Sequence, residues 1–294
     1  MPLLSLAFLG DIVGPPGLKA FAHAAKSLRD SRRADLIVVN AENHKNGSGL
    51  SPDGYREVRR AGADAITLGD HVYKDRKIAD ILEDPTKPAA RPANLSIHSR
   101  GKTRTRVHPV WHESPTGTVS PSHAPAAALA GVPPIYVVTV LGRIFMSLPA
   151  NDPFEAIDRE CAAIAAEHDD ALVIVEVHAE ATSEKIAMAW HCHEHHPGRV
   201  VAVVGTHTHV QTADARIIDH RLAAMTDLGM CGGHRGVIGR KVPQVLAMMT
   251  RQDPHMYEVA DEEPLACGCV IGIDTDERRA TRIEPVRLDP TTSR

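Results

Sequence analysis

The chain has 294 residues, 43% of them hydrophobic, and a formal net charge of −4. That is enough apolar material to fill the core of one domain over 1–294. The acidic balance, with only 3% aromatic residues to stack on bases, argues against an extended nucleic-acid surface. Five cysteines without Cys-x-x-Cys spacing, and no apolar run of membrane-spanning length, argue against a disulfide framework, a zinc knuckle and a membrane protein, and favour a reducing cytoplasm.

The apolar run at 3–9 has no basic segment before it and stops at Gly10-Asp11, so it reads as a buried strand and not as a signal peptide. Pro15-Pro16-Gly17 then marks a turn into a helix over 18–29. The plan repeats with a strand at 34–39 ending in Asn40-Ala41-Glu42-Asn43-His44, a helix at 52–60, a strand at 63–68 ending in Gly69-Asp70-His71, and a helix over 74–82. Three successive βα units imply a parallel sheet with right-handed crossovers, hence an α/β fold. Short strands are expected at 89–94 and 103–111, followed by a Pro-, Ser-, Thr- and Ala-rich flexible insertion at 112–134. The core resumes with strands at 135–141, 171–177 and 200–204 and helices at 153–168 and 183–193. Later strands are expected at 215–225, 267–274 and 281–288, with a glycine-rich loop at 229–239.

Open α/β sheets keep their chemistry at the carboxyl ends of the strands. Five such ends carry side chains able to bind a metal: Asp11, Glu42 with Asn43, Asp70 with His71, His178, and His207 with His209. Oxygen donors come from the first half of the chain and nitrogen donors mostly from the second. The mixture suits manganese, iron or zinc better than calcium or magnesium. Seven donors exceed one tetrahedral ion and suit two ions, the arrangement that clamps both oxygens of an in-line displacement at phosphorus.

Gly10-Asp11, Asn40-Ala41-Glu42-Asn43, Gly69-Asp70-His71, His178-Ala179-Glu180 and Gly205-Thr206-His207-Thr208-His209 resemble, in order, the motifs of calcineurin-like metallophosphoesterases. More narrowly, Arg91-Pro92-Ala93-Asn94, Val210-Gln211-Thr212-Ala213-Asp214 and Thr226-Asp227-Leu228-Gly229-Met230 are similar to the YmdB-like bacterial branch. The resemblance implies a four-layer α/β/β/α sandwich with mixed, largely parallel central sheets. It also implies two divalent or mixed-valence transition-metal ions, iron or manganese before zinc, and hydrolysis of small phosphodiesters, with 2′,3′-cyclic nucleotides as the substrate class. By position, Asp11, Glu42, Asn43 and His209 would hold one ion and Glu42, Asp70, His178 and His207 the other, with Glu42 bridging. A metal-bridging hydroxide would attack phosphorus while His71 serves the leaving oxygen.

One residue departs from the pattern. The family has Gly-Asn-His where this chain has Gly69-Asp70-His71. Asp11, Glu42, Asp70 and a hydroxide would then balance two divalent ions and leave the site neutral, which weakens its attraction for phosphate or favours a trivalent ion in one position, unless Asp70 is protonated or turned away.

Arg91 and Asn94 are candidate substrate contacts, and His44 and Glu180 candidate supports for the ligands. The tract His191-Cys192-His193-Glu194-His195-His196 reads as a solvated helix end, and Cys267-Gly268-Cys269 as core packing. A regulatory or RNA-associated binding protein that retains the metal site, and a metal-dependent amidohydrolase, remain alternative readings, and a homo-oligomer is left open.

Overall fold

The structure, a computed structural model, describes residues 3–108, 111–113, 119–121 and 131–291. Its first sheet is built from β1 (Leu3–Leu9), β2 (Asp11–Ile12), β3 (Leu36–Asn40) and β4 (Ala65–Thr67). A second sheet holds β5 (Thr105–Arg106), β8 (Ile135–Leu141), β9 (Leu172–His178), β10 (Val200–Thr206), β11 (Arg216–Ile218) and β12 (Leu222–Met225), and the pair β6 (Trp111–Glu113) and β7 (Val119–Pro121) stands apart from both. Strands β13 (Met230–Gly233), β14 (Pro264–Asp274) and β15 (Arg279–Leu288) return to the first sheet, whose order is β2–β13–β14–β1–β3–β4 with β15 also on β14. β1, β3 and β4 are parallel, as are β8, β9, β10 and β12, so the functional strand ends of each sheet lie together. The antiparallel partners are β14 and the edge strands β5 and β11.

Side-chain alternation divides the apolar residues into layers. Leu6, Phe8, Leu36 and Val38 of the first sheet face Val137, Ile174 and Val204 of the second in the core between the sheets. Their neighbours Ala7, Leu9, Ile37 and Val39 face outward onto helices α1 (Gly14–Asp30) and α2 (Pro52–Arg60). Val138, Val173, Val175 and Val203 face outward from the second sheet onto α4 (Pro153–Glu167) and α5 (Thr182–His195). The expected α/β/β/α order of layers follows from this parity.

Some local expectations are corrected. α1 starts at Gly14, because prolines at the first helical positions need no backbone donor there. The helix expected over 74–82 is a 3₁₀ turn, Arg76–Ile78, capped by the Asp75 carboxylate on the Lys77 amide, followed by a short α3 (Ala79–Glu83). At 89–94 only Ala89 bridges to Ile66, and the expected strand at 103–111 shrinks to β5 within the described residues. The stretch 215–225 is a hairpin, β11–β12, turning at Asp219 and His220, both at positive φ. The loop expected at 229–239 contains β13, and α6 (Val242–Arg251) was not anticipated. Most of the expected insertion at 112–134 lies outside the described residues. Among the described residues no helix is long and apolar enough to cross a membrane.

Candidate metal centre

The same alternation that layers the core selects what faces inward at its rim. Continuing the inward series past Val38, Val137, Ile174 and Val204 gives Asn40, Thr139, Glu176 with His178, and Thr206. All are buried and bonded to one another. Glu176 Oε1 accepts from Asn40 Nδ2 and Thr206 Oγ1, each at 2.8 Å, and Oε2 accepts from Thr139 Oγ1 at 2.7 Å. With the Thr206 hydroxyl proton spent on Glu176, His178 Nδ1, 2.9 Å from Thr206 Oγ1, is the donor in that contact. The proton is thereby fixed on Nδ1, and Nε2 faces the site with its lone pair available to a metal.

Around His178 Nε2 lie Asp70 Oδ1 at 3.0 Å, His207 Nδ1 at 3.1 Å and Glu42 Oε1 at 3.3 Å. Glu42, Asp70, His178 and His207 bring one donor atom each within 4.8 Å of one another. Glu180 Oε2 lies 3.4 Å from His207 Nε2, leaving Nδ1 to face the group. Gly69 is required by close approach: a Cβ there would overlap His178 Nε2 and Glu42 Oε2.

The other three candidates border this group. Asp11 Oδ2 accepts from the His207 amide at 3.3 Å, whereas Asp11 Oδ1 is buried with no hydrogen-bond partner. A carboxylate oxygen left bare in the interior is costly, and a cation is the partner that would satisfy it. His209 Nδ1 donates to the Ile238 carbonyl at 3.0 Å, so its Nε2 carries the lone pair, 3.1 Å from Asn43 Nδ2. The Asn43 amide turns Nδ2 also toward Glu42, at 3.3 Å, and Oδ1 toward His71 Nδ1, at 2.7 Å. Exchange of its O and N would present an oxygen to a metal beside Glu42 and His209. His71 sits at the mouth, partly exposed, its Nε2 3.9 Å from Asp70 Oδ2.

Arg91 and Asn94, the candidate substrate contacts, are buried and have backbone partners. Arg91 is buried and spends its guanidinium on the carbonyls of Gly101, Pro92 and Ser96. Asn94 clamps the end of β8, donating to the Leu141 and Asn151 carbonyls and accepting from the Leu141 amide. Both brace the scaffold.

Two further groups were missed from sequence. Glu176 could have been found as the one charge inside an apolar strand, two residues before His178 and so on its face. Lys185 and Asp227 form a buried pair at 2.7 Å, and Asp227 also accepts from Thr208 N, Thr208 Oγ1 and Gly229 N. His207 and His209 have φ of 97° and 66°, left-handed values that a non-glycine residue adopts only when its surroundings impose them. The Asp227 carboxylate tethers Thr208, the residue between them.

In the absence of metal the cluster holds protons. Burial pushes Asp11 up to about 8, with the His178 charge opposing and those of Glu42, Asp227 and Glu176 adding. Burial would depress His178, but Glu42 and Asp70 outweigh it and raise the imidazole well above its usual value. Burial would likewise raise Asp70, yet its bonds to His178 and His207 hold it well below the usual carboxylate range, so it is ionised and faces the group.

Two outcomes follow from this geometry. Lys185→Met leaves the Asp227 charge buried without its partner and lowers the unfolding free energy in urea by about 3–5 kcal/mol; an unchanged midpoint would contradict the tethering role. Asp11 and His178 have folded pKa values above their unfolded ones, so the stability they give the metal-free protein is present at low pH and is lost as pH rises, for Asp11 between about 4 and about 8. A metal displaces those protons. Manganese affinity, measured by chelator competition, therefore rises between about pH 6 and about pH 8, by up to about tenfold per unit for each proton displaced, and a flat profile would contradict this.

The comparisons with known proteins cover nearly the whole chain. A 2′,3′-cyclic-nucleotide 2′-phosphodiesterase of Bacillus subtilis is 33% identical over 97% of this chain and 97% of its own length. A putative phosphatase/phosphodiesterase of Mycoplasma pneumoniae is 29% identical over 98% and 94%. Among solved structures, a hypothetical protein from Thermus thermophilus superposes with a TM-score of 0.79 at 33% identity, covering 97% of this chain and 99% of that one. A phosphatase from Mycoplasma pneumoniae superposes with a TM-score of 0.80 at 28% identity, covering 98% and 94%. The model of the family described as YmdB-like protein matches residues 7–114 and 124–286, and the chain belongs to that family.

Proposed function

We propose that the protein is a dinuclear-metal-dependent phosphodiesterase acting on small phosphodiesters, with 2′,3′-cyclic nucleotides as the substrate class. The observation that carries this reading is the convergence of Glu42, Asp70, His178 and His207 beside the unpartnered buried oxygen of Asp11. Relatives named phosphodiesterase and phosphatase over almost the whole chain support phosphoric ester hydrolysis, and one of them supplies the cyclic-nucleotide substrate class. All five cysteines are unpaired and buried, which supports a reducing, cytoplasmic setting.

In this reading Glu42, Asp70, His178 and His207 hold one ion and Asp11, Asn43, His209 and Glu42 the other. Bound there, two such ions supply electrophilic stabilisation of the phosphoryl oxygens and make hydroxide available near neutral pH. The chain does the rest. Thr206 and Glu176 keep His178 in the tautomer that ligates through Nε2. The Ile238 carbonyl does the same for His209. The Asn43 amide that presents Oδ1 to a metal also turns Nδ2 toward His71 Nδ1, which must then accept. His71 keeps its proton on Nε2 and donates a hydrogen bond from there to the departing oxygen, stabilising the charge that builds on it. One amide thus sets both a ligand and the tautomer of the hydrogen-bond donor to the leaving oxygen.

Metal-replete protein should hydrolyse bis-p-nitrophenyl phosphate and 2′,3′-cyclic AMP and lose that activity on chelation. His71→Ala should lower kcat by about 10²–10⁴ with the metal content retained. Absence of hydrolysis by the replete protein would contradict the reading, and full activity in His71→Ala would remove His71 from it. Asp70→Asn removes one negative charge and should tighten inhibition by inorganic phosphate; equal or weaker inhibition would show that the Asp70 charge does not set anion affinity.

A further inference from the structure

The histidine-rich end of α5 is only in part the solvated tract that the sequence suggests: Glu194 and His195 are exposed, whereas Cys192 is buried and His191, His193 and His196 are partly enclosed. Cys192 is buried in the outer core with Ile157, Cys161 and Ile164 of α4, which fixes the rotation of the helix end. His193 pairs with Asp219 at 3.0 Å. His191 and His196 instead both turn toward α4, where Nε2 of each lies 2.7 Å from the same Asp158 oxygen. The two imidazoles are largely enclosed, their side chains 18% and 15% exposed. The three donor atoms lie within 4.8 Å of one another. The backbone holds them in place: the His196 amide donates to the Cys192 carbonyl, and its own carbonyl accepts from the amides of Arg199 and Val200. The His195 ring lies 4.7 Å from that of His191, four residues earlier on the helix.

From this geometry we infer a separate binding site for a borderline divalent ion, zinc by ligand type, formed by Asp158, His191 and His196. Two imidazole nitrogens and one carboxylate oxygen suit such an ion. Ligands at about 2.1 Å in a tetrahedron stand about 3.4 Å apart, so each imidazole nitrogen needs to move less than about 1 Å further from the Asp158 oxygen. Binding moves the imidazole protons from Nε2 to Nδ1, and the fourth position falls to water or to His195. The site shares no residue with the candidate catalytic centre. It lies roughly 14 Å along α5 from Thr182, at 1.5 Å per residue, on the outer helices and not at the strand ends. An ion there ties α4 to the end of α5 and to the turn that feeds β10, the strand whose far end leads into His207 and His209.

The test compares the full-length protein with His191→Gln/His196→Gln. After equilibrium dialysis against limiting zinc, the parent should hold about one more ion per chain than the variant. Zinc should raise the Tm of the parent by more than that of the variant, and hydrolysis of bis-p-nitrophenyl phosphate should be unchanged between them. Should the double variant fold poorly, Asp158→Asn, a surface change, should weaken this one zinc-binding event by about tenfold or more in a calorimetric titration. Equal zinc content and equal Tm response in parent and folded variant, or an unaltered titration in Asp158→Asn, would overturn the site and leave three hydrogen-bonded side chains.

Discussion

Asp11, Glu42 and Asp70 bring three carboxylates from three strand ends to one place, two of them almost fully buried, and the compensation of that charge is the constraint on which the rest of the site depends. Buried anions in mutual contact cost several kcal/mol each unless positive charge answers them. Without metal the answer is protonic: His178 holds its proton and Asp11 is pushed toward neutrality. Both devices leave a defect, since an Asp11 oxygen stays unpartnered and a ligating nitrogen is occupied. In the proposed dinuclear reading two cations would remove both defects at once.

That arrangement is precise because rigid elements hold it. Strands of both sheets deliver the donors, and Glu176, reached by Asn40 from the first sheet and by Thr139 and Thr206 from the second, joins the two sheets beneath them. The loop carrying His207 and His209 cannot be positioned by strand geometry alone, because both residues lie in left-handed backbone. Its anchor is Asp227, held in turn by Lys185 from α5. The buried polar groups of this half of the molecule thus work mainly to orient other side chains.

The parts legible in the sequence were those written in short-range periodicity. The βα rhythm from Leu3 to Leu68 gave the parallel core, and the polar residues closing each apolar run marked the strand ends that converge. Parity along a strand would also have placed Glu176 on the face of His178, since the signal needs only a count of two. Less legible was anything decided by distant partners. Arg91 and Asn94 look like substrate groups until their donors are found on the carbonyls of Gly101, Pro92, Ser96, Leu141 and Asn151. Met230–Gly233 reads as loop because its pairing with β2 and β14 lies far away in sequence. The histidines at 191 and 196 look solvated until Asp158 appears on another helix.

Whether two ions share the Glu42 carboxylate is decided by a manganese-soaked crystal measured at the manganese absorption edge. Two anomalous peaks are expected, one ringed by Glu42, Asp70, His178 and His207, the other by Asp11, Asn43 and His209, with Glu42 between them. A single peak, or two peaks without Glu42 in common, would contradict that arrangement.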